Sequence, residues 1–281
     1  MSKTKNNSEQ DEMTFLEHLE DLRWHLVRSL SAVFILALIA FLFKSIIFDD
    51  ILLGPQKPDF FTNRLFCQFG KMINIEGLCI NKNPLEIINY KMTGQFMTHI
   101  MISIVTGIVV AFPYIFYEFW RFISPAFYAN ERSYTRGAVF YCSLLFLLGI
   151  AFGYYIISPL SINFLGNYMV SPDVGNKIQL MSYISTITSI VLANGILFEL
   201  PVLVLFLTKI GLLTPEFLKK YRRHALVIIL VISAIITPPD IFSQILVCFP
   251  LVILYEIGII ISRRIIKKEK DKFKEEVVSS E

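Results

Sequence analysis

Several places in this sequence set polar side chains where they could do chemistry. The first is Thr14-Phe15-Leu16-Glu17-His18-Leu19-Glu20-Asp21-Leu22-Arg23. Thr14 with Glu17 forms a capping box, so a helix is predicted to start there. Phe15, Leu19, Leu22 and Leu26 share one face, while Glu17 and Asp21 lie one turn apart with Glu20 beside them. Such carboxylates either make the solvated face of an amphipathic lead-in helix or hold a cationic ligand. Guanidinium groups suit the second role, because carboxylates grip them through bidentate, charge-assisted bonds. The second place runs from Trp120 through Arg121, Phe122, Ser124-Pro125 and Phe127-Tyr128 to Glu131-Arg132. Ser before Pro suits an N-cap and first helical turn, and the aromatic residues suit a membrane interface. Glu131 is the acidic residue of an otherwise basic loop, within reach of Arg132 or Arg136.

The third place is Glu199 in Gly195-Ile196-Leu197-Phe198-Glu199-Leu200-Pro201. It lies about 15 Å along a helix from Lys209, too far for direct neutralisation. A carboxylate inside an apolar stretch costs a few kcal/mol, so it faces water, a partner or another polar group. Gly195 and Pro201 permit a close approach and a kink there. The fourth is Thr237, Asp240 and Gln244 around Thr237-Pro238-Pro239-Asp240, where turn capping is the simplest role. Glu256 stands seven residues before Arg263 and has a basic partner near a surface. Gly149 and Gly153 make a GxxxG pair suited to close helix packing, within the chain or with a partner.

No GxxxxGK[ST], HExxH, GxSxG or paired CxxC is present. Nothing cradles ATP, holds a catalytic metal or builds a nucleophile, so no cofactor and no metal are expected and the chain does not read as an enzyme. Cys67 and Cys79 lie close in sequence; a disulfide bridge between them and two free thiols packed in a small domain both fit. Cys142 and Cys248 read as small buried apolar residues.

These residues are carried by very apolar elements. The chain has 281 residues, 54% hydrophobic and 17% charged, with 25 Phe, and its mean hydropathy is +0.59. An average soluble domain carries about 25% charge. Composition excludes a soluble enzyme, a disordered chain and a collagen-like one, and makes the bilayer the solvent. A net charge of +3 gives no argument for nucleic acid.

A spanning helix needs about 20 apolar residues. The sequence predicts an all-α, polytopic membrane protein with six transmembrane helices over 29–48, 96–117, 137–157, 183–208, 225–236 and 241–262, the fifth and sixth short. Residues 1–28 precede the membrane as an amphipathic segment, 49–93 form a long periplasmic loop, and 263–281 form a basic cytoplasmic tail. Two adjacent prolines break the last apolar stretch into a hairpin. Of 26 Lys and Arg, 19 fall on the side holding both termini and 7 on the other, which predicts cytoplasmic termini. The polar first 24 residues lack the form of a secretory signal.

Taken in order, the motifs resemble those of one family. His18-Leu19-Glu20-Asp21-Leu22-Arg23 resembles the HLxELR signature of the twin-arginine protein translocase subunit TatC. Ser124-Pro125-Ala126-Phe127-Tyr128 with Glu131-Arg132 resembles its first cytoplasmic loop, and Phe198-Glu199-Leu200-Pro201 its fourth-helix acidic motif. Thr237-Pro238-Pro239-Asp240, Phe242-Ser243-Gln244 and Tyr255-Glu256-Ile257-Gly258 resemble its last hairpin. The matches run from about residue 14 to 264.

The resemblance implies a receptor in the bacterial inner membrane that binds twin-arginine signal peptides of folded cargo. It recruits the single-span subunits TatA and TatB, as a homo-oligomer within a complex, for export driven by the proton-motive force. It implies signal-peptide binding by Glu20, Asp21, Arg23, Phe122 and Glu131, an intramembrane polar site at Glu199, and partner docking at Thr237, Asp240 and Gln244. Asp21 stands where the family usually has Glu, one methylene longer. The rival reading is a secondary transporter of a small solute using the intramembrane glutamate; it requires repeats and paired helix interruptions, and the sequence offers one marked interruption.

Overall fold

The computed structural model describes residues 15–74, 79–81, 85–123, 135–171, 173, 175–237 and 241–279. Its first helix, α1 (Phe15–Leu42), is followed by a π-helical turn over Ile46–Leu52, α2 (Phe61–Met72), the two-residue strand β1 (Ile87–Ile88) and α3 (Gly94–Ile123). Then come α4 (Thr135–Phe152), a second π-helical turn (Gly153–Ile157), α5 (Ser158–Asn167), β2 (Ile178–Gln179), α6 (Leu180–Phe198) and α7 (Leu200–Lys209). Helices α8 (Pro215–Lys220), α9 (Arg222–Ile236) and α10 (Ile241–Ser279) complete the chain.

Five helical stretches are long and apolar enough to cross a bilayer: Leu19–Leu42, Gly94–Ile123, Gly137–Asn167, Leu180–Lys209 and Ser243–Lys267. The protein is therefore a multi-pass, mostly helical membrane protein. α9 is not among the five. Its 15 residues rise about 22 Å, against about 30 Å of hydrocarbon. It nevertheless forms a hairpin with α10: Gln244 Nε2 donates to Leu230 O at 3.2 Å, and Arg222 pairs with Glu256 at 2.5 Å.

Three predicted boundaries are corrected. The sixth helix is not short: α10 has 39 residues, and the segment 263–281 continues it to Ser279, because no Gly or Pro follows Gly258 and its Lys- and Glu-rich stretch favours helix. The first span does not reach Phe48: α1 ends at Leu42, just before Lys44, and Asp49 and Asp50 fall in the π-helical turn. Its beginning is not a separate segment either, since the lead-in helix runs unbroken into the span. Finally, the connection 49–93 is not a plain loop. It carries α2 and a β1 strand that pairs in parallel with β2, Ile87 with Ile178 and Ile88 with Gln179, which clasps this connection to the one before α6.

Small residues set the helix pairs. α1 and α3 run antiparallel, and a Cβ on Gly107 would lie 2.8 Å from Ala37 N and 2.9 Å from Val33 O. α4 and α6 also run antiparallel. A Cβ on Gly149 would lie 2.5 Å from Asn194 O, and one on Gly195 would lie 2.8 Å from Phe146. The GxxxG pair is thus spent inside the chain, on α6. α6 is the central helix: Tyr183, Ile184, Ile187 and Ile190 are buried along it, Ile190 in one core with Val247 and Leu251 of α10 and the other three in a second with Ala40 and Ile102. We call the bundle end holding His25 the near end and that holding His99 the far end.

Candidate functional site

The near end is organised by a carboxylate that the sequence did not single out. Glu118 lies in α3, one turn before Phe122, and is 2% exposed. His25 Nδ1 donates to its Oε2 at 2.5 Å, Arg28 Nη1 lies 3.7 Å from the same oxygen, and the Tyr114 side chain lies beside it. A buried carboxylate is tolerated when it is paired and hydrogen-bonded in this way. Three groups from two helices therefore meet on one carboxylate and fix the rotation of α1 against α3.

That rotation decides where the predicted site residues face. Asp21, His25 and Arg28 follow at i, i+4 and i+7, on one face of α1. His25 also meets the Phe122 ring edge-on, centroids 6.0 Å apart. Asp21 is exposed and lies one turn nearer the helix start on the face that meets α3. Glu20 is about 100° round the helix from Asp21, and Arg23 lies on the opposite side. Both are exposed. Helix spacing thus puts Asp21 on the His25 face of α1, the face that meets Phe122, and puts Glu20 and Arg23 on other faces. Glu131, the other acid expected there, lies outside the described residues, as does the whole loop 124–134.

Glu199 occupies the break between α6 and α7, serving as the C-cap of one and the N-cap of the other. Pro201 removes a backbone donor in the first turn of α7, and Val202 N and Leu203 N both donate to Glu199 O at 2.9 and 3.0 Å. Its side chain is half-buried. The Cys142 thiol and the backbone of Phe146 lie beside it, but neither carboxylate oxygen meets a described group at hydrogen-bonding geometry. Its local environment is the reverse of Glu118's.

Thr237 and Gln244 are placed by the α9–α10 hairpin, where they satisfy α9 carbonyls. Thr237 Oγ1 donates to Ser233 O at 2.8 Å, and Gln244 bonds Leu230 O as above. Asp240 lies outside the described residues. Thr237 also borders an open recess of about 360 Å³ with Leu165, Ser185, Thr186, Ser189 and Ile190. A second cavity of about 360 Å³ shares Leu165, Thr186 and Ile190 and adds Ser158, Ser161 and Ser182. Together they make a hydroxyl-lined furrow between α5, α6 and the end of α9. Residues 185–189 lie about 8–14 Å along α6 from Leu180, so Thr237 at the end of α9 lies that far short of the far end.

At the far end Cys67 and Cys79 are joined by a disulfide with Cα atoms 4.0 Å apart. No group of three or more His, Cys, Asp or Glu side chains able to hold a metal occurs among the described residues.

The signal that could have revealed Glu118 was present in the sequence: an acid four residues before Phe122 and two before Trp120, with His25 and Arg28 one turn apart in α1. Its partner, however, is 93 residues away, and pattern reading sees only neighbours.

Comparison with known proteins places this architecture. The family pattern described as Sec-independent protein translocase protein (TatC) matches residues 17–250. The TatC protein of Blattabacterium sp. subsp. Periplaneta americana is 44% identical over 264 residues, covering 93% of this chain and 99% of the relative. The TatC protein of Aquifex aeolicus is 34% identical over 260 residues, covering 92% and 98%. A crystal structure of a twin arginine translocase receptor, TatC, superposes with a TM-score of 0.66 at 35% identity, over 88% of this chain and 98% of the other.

Proposed function

The chain belongs to the TatC family of Sec-independent protein translocase subunits, a family of translocase components rather than enzymes, and from that premise we propose that it is the receptor for twin-arginine signal peptides. Asp21, with Glu131, holds the arginine pair at the near end, which faces the cytoplasm of a bacterial inner membrane. Carboxylates do this better for Arg than for Lys because the planar guanidinium offers two parallel donors. The apolar part of the signal passes along the bundle toward the α6–α7 break, where Glu199 offers a polar contact in a low-dielectric setting. Thr237, Asp240 and Gln244 dock TatA- and TatB-type single-span subunits beside the short α9–α10 hairpin. The bilayer thins around that hairpin, and the proton-motive force drives passage of the folded cargo. Multiple copies of the chain act in one complex.

The single observation that carries the reading is the Glu118–His25–Arg28 cluster, which turns the Asp21 face of α1 toward Phe122 and the root of the loop that holds Glu131. Glu20 and Arg23, on other faces, are assigned supporting roles in solvating the helix.

The test is photocrosslinking of an Arg-Arg signal peptide to the full chain in membranes. Asp21→Ala and Glu131→Ala should each lower the crosslink yield at least tenfold, as loss of one charge-assisted contact does. Glu20→Ala should leave it near normal, and a Lys-Lys peptide should bind as poorly as the variants. Normal crosslinking to both Asp21→Ala and Glu131→Ala would remove the site.

A further inference from the structure

Helix α2 presents an apolar stripe that nothing else in the described molecule covers. Phe61, Leu65, Phe69, Met72 and Ile73 fall within about 120° of the helix circumference, and they are 61%, 39%, 55%, 80% and 56% exposed. The opposite face is packed, with Asn63 and Gly70 buried there, and Thr62 is buried at the edge of the stripe beside Ile73. Arg64 and Lys71 are exposed and lie together along one edge of the stripe. Twelve residues are too few to span a bilayer.

The packed face fixes the height of the helix. Thr62 Oγ1 donates to Tyr155 O. Asn81 is buried and its Nδ2 reaches Asn63 Oδ1 at 3.3 Å and Pro159 O at 3.1 Å. Phe60 stacks on Tyr155, centroids 5.7 Å apart, and meets Tyr154 edge-on at 5.6 Å. Tyr155 stands 18 residues after Gly137, the first residue of its span. That is about 27 Å of helix, close to the full hydrocarbon thickness of about 30 Å. The stripe is therefore held where acyl chains give way to headgroups on the far side, beside a tyrosine pair of the kind that marks this boundary.

We propose that α2 is an interfacial helix that lies on the far-side leaflet, with its five apolar residues in the acyl boundary and Arg64 and Lys71 on lipid phosphates. The occupant is phospholipid. A protein would need no fixed depth, whereas charge, amphipathicity and height here all match a lipid surface. The disulfide and the Asn81 contacts lock the helix to the bundle, so it bears on the membrane as a rigid outrigger.

The experiment places p-benzoylphenylalanine at position 65 or 69 of the full chain in native membranes, with position 175 in the exposed loop before β2 as control. Irradiation should give phospholipid adducts at 65 and 69, several-fold above the control. Adducts to polypeptide instead, or yields at the control level, would overturn the proposal. In nanodiscs, adding phosphatidylglycerol to phosphatidylcholine should enrich the anionic adduct roughly fivefold per cation. Arg64→Gln with Lys71→Gln should abolish the enrichment. No enrichment with the native chain would overturn the role given to those two side chains.

Discussion

Two carboxylates within apolar helices, Glu118 and Glu199, are held in contrasting ways. Glu118 is paired with His25 and Arg28 and is 2% exposed; Glu199 has a helix break, a neighbouring thiol and backbone, and no ion-pair partner among the described residues. A buried charge without partners is costly, and folding has spent its compensation at one site only. The contrast separates a carboxylate used to hold helices together from one kept available. It also assigns opposite signatures to mutation: loss of stability at Glu118, loss of transport at Glu199.

The largest expected effect lies at the partnered site. Glu118→Ala strands His25 and Arg28 and should lower unfolding stability by roughly 3 kcal/mol, seen as a fall in Tm of the purified chain in detergent and as lost signal-peptide binding. A stable, fully binding variant would break the comparison. Next, Glu199→Gln should leave unfolding stability within about 1 kcal/mol of the parent, because no ion pair is lost, while export of a folded reporter falls tenfold or more. A large drop in Tm would show that Glu199 is structural after all. A double-mutant cycle sharpens the contrast: His25 with Glu118 should couple by about 1–3 kcal/mol, and Cys142 with Glu199 by less than about 0.5 kcal/mol. The smallest effect is Cys142→Ala, which should change neither Tm nor export measurably, since the thiol acts as a small apolar filler.

How far the sequence disclosed all this depends on the range of the interaction. Long apolar runs located five spans, and the Pro-Pro pair located the hairpin, because both signals are local. Gly195 and Pro201 announced the irregularity at Glu199, and Gly149 with Gly153 announced close packing, although only the fold shows that α6 is the recipient. The span ends differ from the hydropathy pattern where charge and helix propensity disagree: α1 stops before Lys44 although apolar residues continue past it, and α10 runs on through the Lys-rich segment after Ser262 because nothing in it breaks a helix. Glu118 escaped notice because His25, 93 residues earlier, gives it meaning. The β1–β2 clasp joins residues 91 apart by only two pairs, a signal too short for any periodicity. α2 was missed because a 12-residue amphipathic stretch hides inside a segment that composition marks simply as a connection.

The seating of α4 on α6 has a mechanical consequence. At Gly149 a Cβ would meet the α6 backbone at 2.5 Å, at Gly153 it would crowd Val191 Cα at 3.1 Å, and at Gly195 it would meet the Phe146 and Ile150 side chains at 2.8 Å. Surfaces meshed that closely cannot slide past one another without first lifting apart, and lifting apart would open voids along the middle of the molecule. The pair behaves as a keel. Any bending of this part of the bundle meets least backbone resistance at the step from Phe198 to Leu200, where the hydrogen-bond ladder is already interrupted.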